Sequence, residues 1–237
     1  MQEPPRSFLV RNAANAVSIL GVLPLCILFA DFGYQYLIPL IIYNNIMDDL
    51  DGVLAGKLDI RSRYGAALDN VCDTVSHSIF VMVIGMHYFQ QADVSAIGGV
   101  SIAAGVLATV AIIVRSVSRL DPDSPGGTGS PTNELIRHTL FIIMVSQLFE
   151  FDPTPLLIGS FLVHSLTMLV PFRMPYLIRS LTKSAMAIGL VNVALVVAWL
   201  LPNSAPFIAG AFISTYFLSF FTGAMRWLVE SAPSSES

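Results

Sequence analysis

The stretch DDLDGVLAGKLDIRSRYGAALDNVCD, residues Asp48–Asp73, places six of the chain's sixteen acidic residues between two long apolar runs. Ionised side chains are costly next to a hydrocarbon layer, so a cluster of this kind indicates a functional site. Asp48 and Asp51 are three residues apart and Asp69 and Asp73 are four apart, so on two helices each pair shares one face. If the two faces meet, the four carboxylates form one cage.

The composition is that of a polytopic membrane protein. The 237 residues are 54% hydrophobic and 12% charged, with a mean hydropathy of +0.71, whereas soluble domains are about one-quarter charged. No alternation of aromatic and basic residues indicates a nucleic-acid partner. Cys26 and Cys72 lie in apolar segments without partners at metal-ligand spacing, so we interpret both as buried free thiols.

Hydropathy predicts eight membrane-spanning helices, because about 20 apolar residues cross about 30 Å of hydrocarbon. They cover residues 13–30, 35–56, 66–90, 94–118, 133–149, 155–171, 180–201 and 206–227, with Gly-, Pro- and Asp-containing turns between them. The expected fold is therefore all-α, a polytopic transmembrane bundle. We expect one catalytic domain over residues 1–229 and a disordered tail over residues 230–237.

The basic residues predict the orientation of the bundle. With a cytoplasmic N-terminus, all twelve Lys and Arg residues fall on the cytoplasmic side of the eight predicted helices. The opposite side has only acidic residues, Asp31, Asp93, Glu150 and Asp152, which is the positive-inside pattern. We therefore expect both termini and the acidic stretch to face the cytoplasm, in an inner or plasma membrane.

The acidic stretch favours hard divalent cations. Four close carboxylates stay ionised only if cations neutralise them, and ligands that offer oxygen alone favour Mg²⁺ or Mn²⁺, with Ca²⁺ as the alternative. Two ions would balance four carboxylates and would suit an in-line displacement at a diphosphate. The other interpretation is that these aspartates are interfacial loop charges or helix caps, and for Asp49 and Asp59 we prefer it.

Two glycines support a ligand site. Gly52 directly follows Asp51 and removes a side chain where a ligand would approach the backbone, and Gly65 lets the next helix begin close to its neighbour. His77 lies one turn beyond Asp73, where we expect packing or a headgroup contact rather than a role in the site.

Taken together, these residues resemble the signature of the CDP-alcohol phosphotransferases, which are membrane enzymes of phospholipid synthesis. The matching pattern is Asp48-x2-Asp51-Gly52-x2-Ala55, followed by Gly65-x3-Asp69-x3-Asp73. One position differs, because the family pattern has an arginine after the alanine and this chain has Gly56 followed by Lys57. Lys57 supplies the charge from a shifted position, or the donor phosphates are held differently, or activity is reduced.

The resemblance implies a transfer in which a CDP-linked lipid loses CMP and its phosphoryl-lipid portion passes to a small alcohol. It implies that Asp48, Asp51 and Asp69 are metal ligands, and that Asp73 completes the metal site and accepts the proton of the acceptor hydroxyl. Further donor-binding residues follow from the same resemblance. They are Gly52, Ala55, Gly65 and Lys57, together with Asn15 and Ser18 in the first helix. The resemblance also implies a homodimer in contact with membrane lipids.

Three further segments are similar to the phosphatidylserine synthase branch of that family. They are Thr74–His77, the run from Arg115 to Arg119 with Gly129–Pro131 after it, and Met168–Pro175. Eight predicted helices, rather than the six usual elsewhere in the family, point the same way, so L-serine is the preferred acceptor. Arg115, Arg119 and Arg173 are the candidates for binding its carboxylate, although arginines at helix ends also extend toward lipid headgroups.

Two alternatives stay open. Within the family, a phosphatidylglycerophosphate or phosphatidylinositol-phosphate synthase would also need arginines for its acceptor. Outside that activity, Gly56 in place of the arginine is compatible with a catalytically impaired or non-enzymatic divalent-cation-binding membrane protein.

Overall fold

The computed structural model describes residues 7–91, 95–120, 131–170, 172, 174–175 and 185–231. Within these residues all the regular structure is helical, which confirms the all-α prediction there. The α-helices are α1 Phe8–Arg11, α2 Ala13–Val22, α3 Leu37–Lys57, α4 Arg63–Gln91, α5 Ser95–Leu120, α6 Pro131–Phe149, α7 Thr154–Met168, α8 Ala185–Leu200 and α9 Ala205–Ser231. Three 3₁₀ segments, Leu23–Phe29, Gly33–Tyr36 and Pro202–Ser204, adjoin them.

Helices α2 to α9 each overlap one of the eight predicted helices within the described residues. This overlap does not confirm eight membrane-spanning helices, because three helical segments of the described residues meet the length and hydropathy of a membrane span. The first helix differs most from its prediction. The sequence predicted one helix over residues 13–30, whereas α2 ends at Val22 and the chain continues as the 3₁₀ segment Leu23–Phe29. Pro24 lies at the start of that segment. Proline has no backbone N–H, so it cannot donate the hydrogen bond to the carbonyl four residues earlier that would continue the α-helix. Hydropathy does not register this change, because the apolar run is continuous.

Three helical segments of the described chain are long and apolar enough to cross a membrane, judged by length and composition. They are Arg63–Gln90, Ile97–Leu120 and Pro202–Ser231. The shorter apolar segments are Ala13–Phe29, Thr154–Met168 and Met186–Leu200.

The core lies where α4, α5, α6 and α7 pack together. Phe80 of α4, Phe141 of α6 and Phe161 of α7 are among its largest fully buried side chains. The α4–α5 pair is close because glycines face each other: a Cβ atom at Gly105 would lie 3.8 Å from the Cα of Gly85. Burial of this apolar surface holds α4, which carries Asp69 and Asp73, at a fixed position.

The five residues 58–62 reverse the chain between α3 and α4. Asp59 has a positive φ of 50°, the Ile60 N–H donates to the Ala55 carbonyl at 3.0 Å, and the Asp59 N–H donates to the Gly56 carbonyl at 3.3 Å. This is the Schellman pattern of a helix end, with Asp59 in the left-handed position. Asp59 therefore lies in the turn, as expected.

A serine starts the next helix. Ser62 Oγ accepts a hydrogen bond of 2.9 Å from the Gly65 N–H, which is an N-cap three residues before a helical donor. The cap explains why α4 begins at Arg63 rather than at the predicted residue 66. The short turn and the cap together place the end of α3 beside the start of α4.

The two cysteines are free thiols, as expected, but neither is fully buried. Cys26 is exposed and Cys72 is half-buried, so the prediction of buried thiols was wrong for Cys26. An apolar segment of a membrane protein has lipid-facing as well as core-facing positions, and one sequence does not separate them.

Candidate active site

The acidic side chains of α3 and α4 meet as the spacing predicted. Carboxylate oxygens of Asp48, Asp51 and Asp69 all lie within 4.8 Å of one another. The first two come from α3 and the third from α4, so the tight turn between the helices creates the group. Three carboxylates at this separation repel one another unless a cation lies between them.

Asp73 lies one turn further along α4. It is outside that closest group of three, but it lines the same cavity, and its carboxylate is near enough to Asp48 and Asp69 to interact with both. The fourth predicted carboxylate is therefore at the site, beside those of Asp48 and Asp69.

Polar groups from α2 and α6 hold two of these carboxylates. Ser18 Oγ donates a hydrogen bond to Asp51 Oδ2, and Asn133 Nδ2 donates one of 3.1 Å to Asp48 Oδ2. Asn15 lies one turn before Ser18, and its Oδ1 is 3.2 Å from where a Cβ at Gly65 would be. Gly65 thus lets α2 approach α4, and α2 reaches the site through Asn15 and Ser18.

The carboxylates line a cavity of about 370 Å³. Gly52 lies in its wall, and a Cβ atom there would have no atom within 4 Å. A side chain at this position would project into open cavity space rather than into protein. The other wall is formed largely by α8, α9 and the segment before α8, including Met174, Pro175, Ala187, Ile188, Val191 and Tyr216.

Among the described residues, the arginines that line the same cavity are Arg61, Arg119 and Arg137. Arg119, a predicted site residue, is near enough to Asp69 and Asp73 to interact with both electrostatically. The positive charges that the sequence placed in separate segments therefore meet the acidic stretch at one end of the bundle.

The remaining predicted residues are placed differently. Arg115 lies outside the main cavity, in a small crevice that it shares with Asp73 and the buried His77. Lys57 is exposed and does not line the cavity, and Ala55 is half-buried in the last turns of α3. Arg173 lies outside the described residues.

A polar network that the sequence reasoning missed joins α3, α6 and α8. Arg137 donates to Asn45 Oδ1 at 3.0 Å and pairs with Glu134 at 2.7 Å, and Asn192 donates to Asp49 Oδ2 at 2.8 Å. Asn45 also donates to Asn192 at 2.7 Å. Asp49 is therefore buried and hydrogen-bonded, contrary to the expectation of an interfacial loop charge.

One signal for this network was present in the sequence. Arg137 and Glu134 are three residues apart in an otherwise apolar helix, and charged residues within such a helix usually face a polar interior. Asn45 and Asn192 gave no comparable signal, because an isolated asparagine fits many environments.

The donor set fits a divalent cation. Asp48, Asp51 and Asp69 offer only oxygen, converge from two helices and have no base inserted between them in the described part of the chain. Hard cations such as Mg²⁺ and Mn²⁺ prefer such ligands. Carboxylates, arginines and apolar residues line the adjoining cavity, which suits an anionic molecule that has an apolar part.

Comparison with known proteins identifies the family. An uncharacterised protein from Aquifex aeolicus (strain VF5) is 32% identical over 54 residues, a match that covers 23% of this chain and 28% of that protein. The sequence model for CDP-alcohol phosphatidyltransferases matches residues 11–227. That match runs from α1 into α9 and contains all four converging aspartates, so the chain belongs to the CDP-alcohol phosphatidyltransferase family.

Proposed function

We propose that this protein is an integral membrane enzyme that transfers a phosphatidyl group from CDP-diacylglycerol, or a related CDP-lipid, to L-serine and releases CMP. Its family implies transfer of a phosphatidyl group from a CDP-alcohol, and a role in phospholipid synthesis at a membrane. The observation that carries the proposal is the convergence of Asp48, Asp51 and Asp69 beside Asp73 in one cavity.

The family is divalent-cation dependent, and we assign two ions, Mg²⁺ or Mn²⁺ with Ca²⁺ as the alternative, to this site. Asp48, Asp51 and Asp69 would hold them, and Asp73 would complete the set. When bound, such ions neutralise the diphosphate and stabilise negative charge on the attacking and leaving oxygens. The carboxylates in turn remain ionised beside one another.

Asp73 is the proposed base. The acceptor hydroxyl oxygen forms a bond to the lipid-linked phosphorus, and the bond from that phosphorus to the bridging oxygen breaks, so CMP leaves with that oxygen. The hydroxyl proton passes to the Asp73 carboxylate. A carboxylate is a weak base for an alcohol, so the barrier falls mainly because the reactants are held in line. Asp73 lies in the same cavity beside Asp48 and Asp69 but outside the close group of three carboxylates, which supports this role.

The cavity is compatible with serine as the acceptor. Serine carries a carboxylate, and Arg119 lines the cavity beside the aspartates, where its guanidinium would bind that carboxylate. A phosphorylated acceptor would also need an arginine. The preference for serine over glycerol phosphate or inositol phosphate therefore rests on the three segments that are similar to the phosphatidylserine synthase branch.

Two further parts of the proposal rest on the sequence. The segregation of the bases supports a cytoplasmic active site with both termini inside, and the family resemblance supports a homodimer. Labelling of single cysteines placed near Arg63 and near Glu150 would test the orientation. The first is expected to react only from the cytoplasmic side and the second only from the opposite side.

The test of function is CMP release by the purified protein with Mg²⁺ or Mn²⁺, CDP-diacylglycerol and a panel of alcohols. Among the alcohols, only serine is expected to give CMP release. This release should be lost when the divalent cation is chelated and in the variant Asp69→Asn. Asp59→Asn is the matched control, because Asp59 belongs to the same acidic stretch but lies in the turn. Release with glycerol 3-phosphate but not serine would reject the acceptor, and no CMP from any CDP-lipid would leave the cation-binding alternative.

A further inference from the structure

Gly56 has replaced the arginine expected in the family pattern, and another arginine occupies the space above it. A Cβ atom at Gly56 would lie 3.0 Å from Nη2 of Arg61, 3.7 Å from its Cζ and 3.8 Å from its Nε. The Arg61 guanidinium therefore packs directly over the exposed backbone of Gly56. Any side chain at position 56 would push against it.

The turn after α3 brings Arg61 back to this place. The hydrogen bonds from Ile60 to Ala55 and from Asp59 to Gly56 reverse the chain, and the left-handed Asp59 completes the reversal. Arg61 follows at once, before Ser62 caps α4. Its backbone is thus set between two hydrogen-bonded helix ends.

Arg61 also lines the cavity without an acidic partner among the described residues. Arg137 is engaged by Glu134 and Asn45, and Arg119 faces Asp69 and Asp73. Arg61 lines the cavity, is exposed, and forms no ion pair with any residue in the described ranges. A guanidinium in this situation binds phosphate oxygens with two parallel hydrogen bonds.

We infer that Arg61 binds the diphosphate of the CDP-lipid donor, in the space left by Gly56. The inference rests on the proposed function, because it takes the donor from it. It assigns the missing positive charge to Arg61 rather than to Lys57, which is exposed outside the cavity. Gly56 then makes room for a different arginine, and the departure from the family pattern need not impair activity.

The first test compares Arg61→Gln with Arg63→Gln. Arg63 is an exposed arginine at the first position of α4 that does not line the cavity, so its variant controls for general charge. Hydrogen bonds to charged groups contribute about 1.5–3 kcal/mol, so we expect Arg61→Gln to raise the KM for CDP-diacylglycerol by about 10- to 100-fold. Arg63→Gln should change it little, with the same melting temperature and gel-filtration profile in both variants.

The second test restores an arginine at the family position. In Gly56→Arg/Arg61→Gln the new side chain occupies the space of the lost one, so we expect the KM to fall back toward that of the unmodified protein. Unchanged KM in Arg61→Gln would overturn the inference. A raised KM in Lys57→Gln with an unchanged KM in Arg61→Gln would overturn it as well and would assign the role to Lys57.

Donor binding without turnover separates this inference from the proposed function. The measurement is equilibrium binding of CDP-diacylglycerol to the detergent-solubilised protein with Mn²⁺ and no acceptor. Weaker binding by Arg61→Gln than by Arg63→Gln supports the inference even if no alcohol yields CMP, a result that would reject the function alone. Equal binding by the two variants rejects the role of Arg61 even if serine transfer is observed.

Discussion

At the scale of single residues, Asp73 differs in position from the other three aspartates of the site. Asp48, Asp51 and Asp69 form the close group, and Asp73 lies one helical turn behind Asp69 in the same cavity. A residue at the edge of a cation site is placed to exchange a proton with a molecule that enters beside the cation. The close group is placed to hold the cation itself.

Asp73→Asn should therefore separate proton transfer from metal binding. We expect CMP release to fall by about 10²- to 10⁴-fold, the usual contribution of a general base, while titration with Mn²⁺ still detects binding to the remaining three carboxylates. Asp48→Asn should weaken Mn²⁺ binding directly. Full activity in Asp73→Asn would remove this residue from the proposed role.

Gly52→Ala tests whether the open space at the cavity wall is needed by a ligand. The added methyl group meets no protein atom within 4 Å, and alanine is favoured over glycine inside a helix by up to about 1 kcal/mol. Stability should stay the same or rise, whereas CMP release should fall. Gly159→Ala in α7, where the space is equally open but remote from the cavity, should retain activity. Equal activity in the two variants would contradict a ligand at Gly52.

Residue-level reasoning succeeded where chemistry depends on spacing. The i,i+3 and i,i+4 pairs were enough to predict that four aspartates converge, because each pair shares a helix face whatever the rest of the fold does. The same reasoning failed for Asp49, whose side chain leaves α3 in a different direction from that of Asp48. That direction matters only once Asn192 of α8 is brought against it.

At the scale of elements, the pair α4–α5 holds the site in position. A Cβ atom at Gly105 would lie 3.4 Å from the Val81 carbonyl oxygen, and Ser101 donates a hydrogen bond of 3.4 Å to the Gly85 carbonyl. Backbones this close hold a Cβ atom at van der Waals contact and leave no room for a large side chain. Since α4 carries two of the aspartates and α5 carries Arg119, their separation decides the width of the site.

Gly105→Leu should force the two helices apart. Overpacking of this kind costs about 1–3 kcal/mol, so we expect a lower melting temperature, together with reduced CMP release. Gly99→Leu is the matched control, because Gly99 lies on the same helix and a Cβ atom there has no neighbour within 4 Å. If both variants melted at the same temperature, close packing at Gly105 would not contribute to stability.

The elements themselves were largely predictable. Pro24 and Ser62 show the limits, because one changes the helix type inside an apolar run and the other starts a helix three residues before the predicted boundary. Both are local backbone effects that a hydropathy average does not resolve. Inspection for proline and for capping residues would have found them.

At the scale of the whole molecule, the network through Asp49, Asn45, Asn192 and Arg137 links the acidic helix to α6 and α8. It connects elements that are far apart in sequence, since Asn192 is 143 residues from Asp49. Buried polar groups of this kind stabilise a fold only while they remain hydrogen-bonded. The network therefore couples the cavity's two walls.

Asn192→Ala should weaken that coupling. It removes the 2.8 Å hydrogen bond to Asp49 and the 2.7 Å hydrogen bond from Asn45, and loss of a buried partner costs about 1–3 kcal/mol. We expect a lower melting temperature and lower turnover. Asn203→Ala, at an exposed position, should change neither. A fully stable Asn192→Ala would show that α8 is held by its apolar contacts alone.

Hydropathy and the spacing of residues within single helices were enough to predict the helical class, the meeting of acidic side chains from α3 and α4, and the family. The tertiary structure was needed to show which arginine side chains line the same cavity. Arg61 reaches it through a hydrogen-bonded turn over a glycine. Arg137 of α6 lines the same cavity and is hydrogen-bonded to Asn45, which lies 92 residues earlier in the chain. Such contacts depend on how separate elements pack, and no periodicity within one element contains that information.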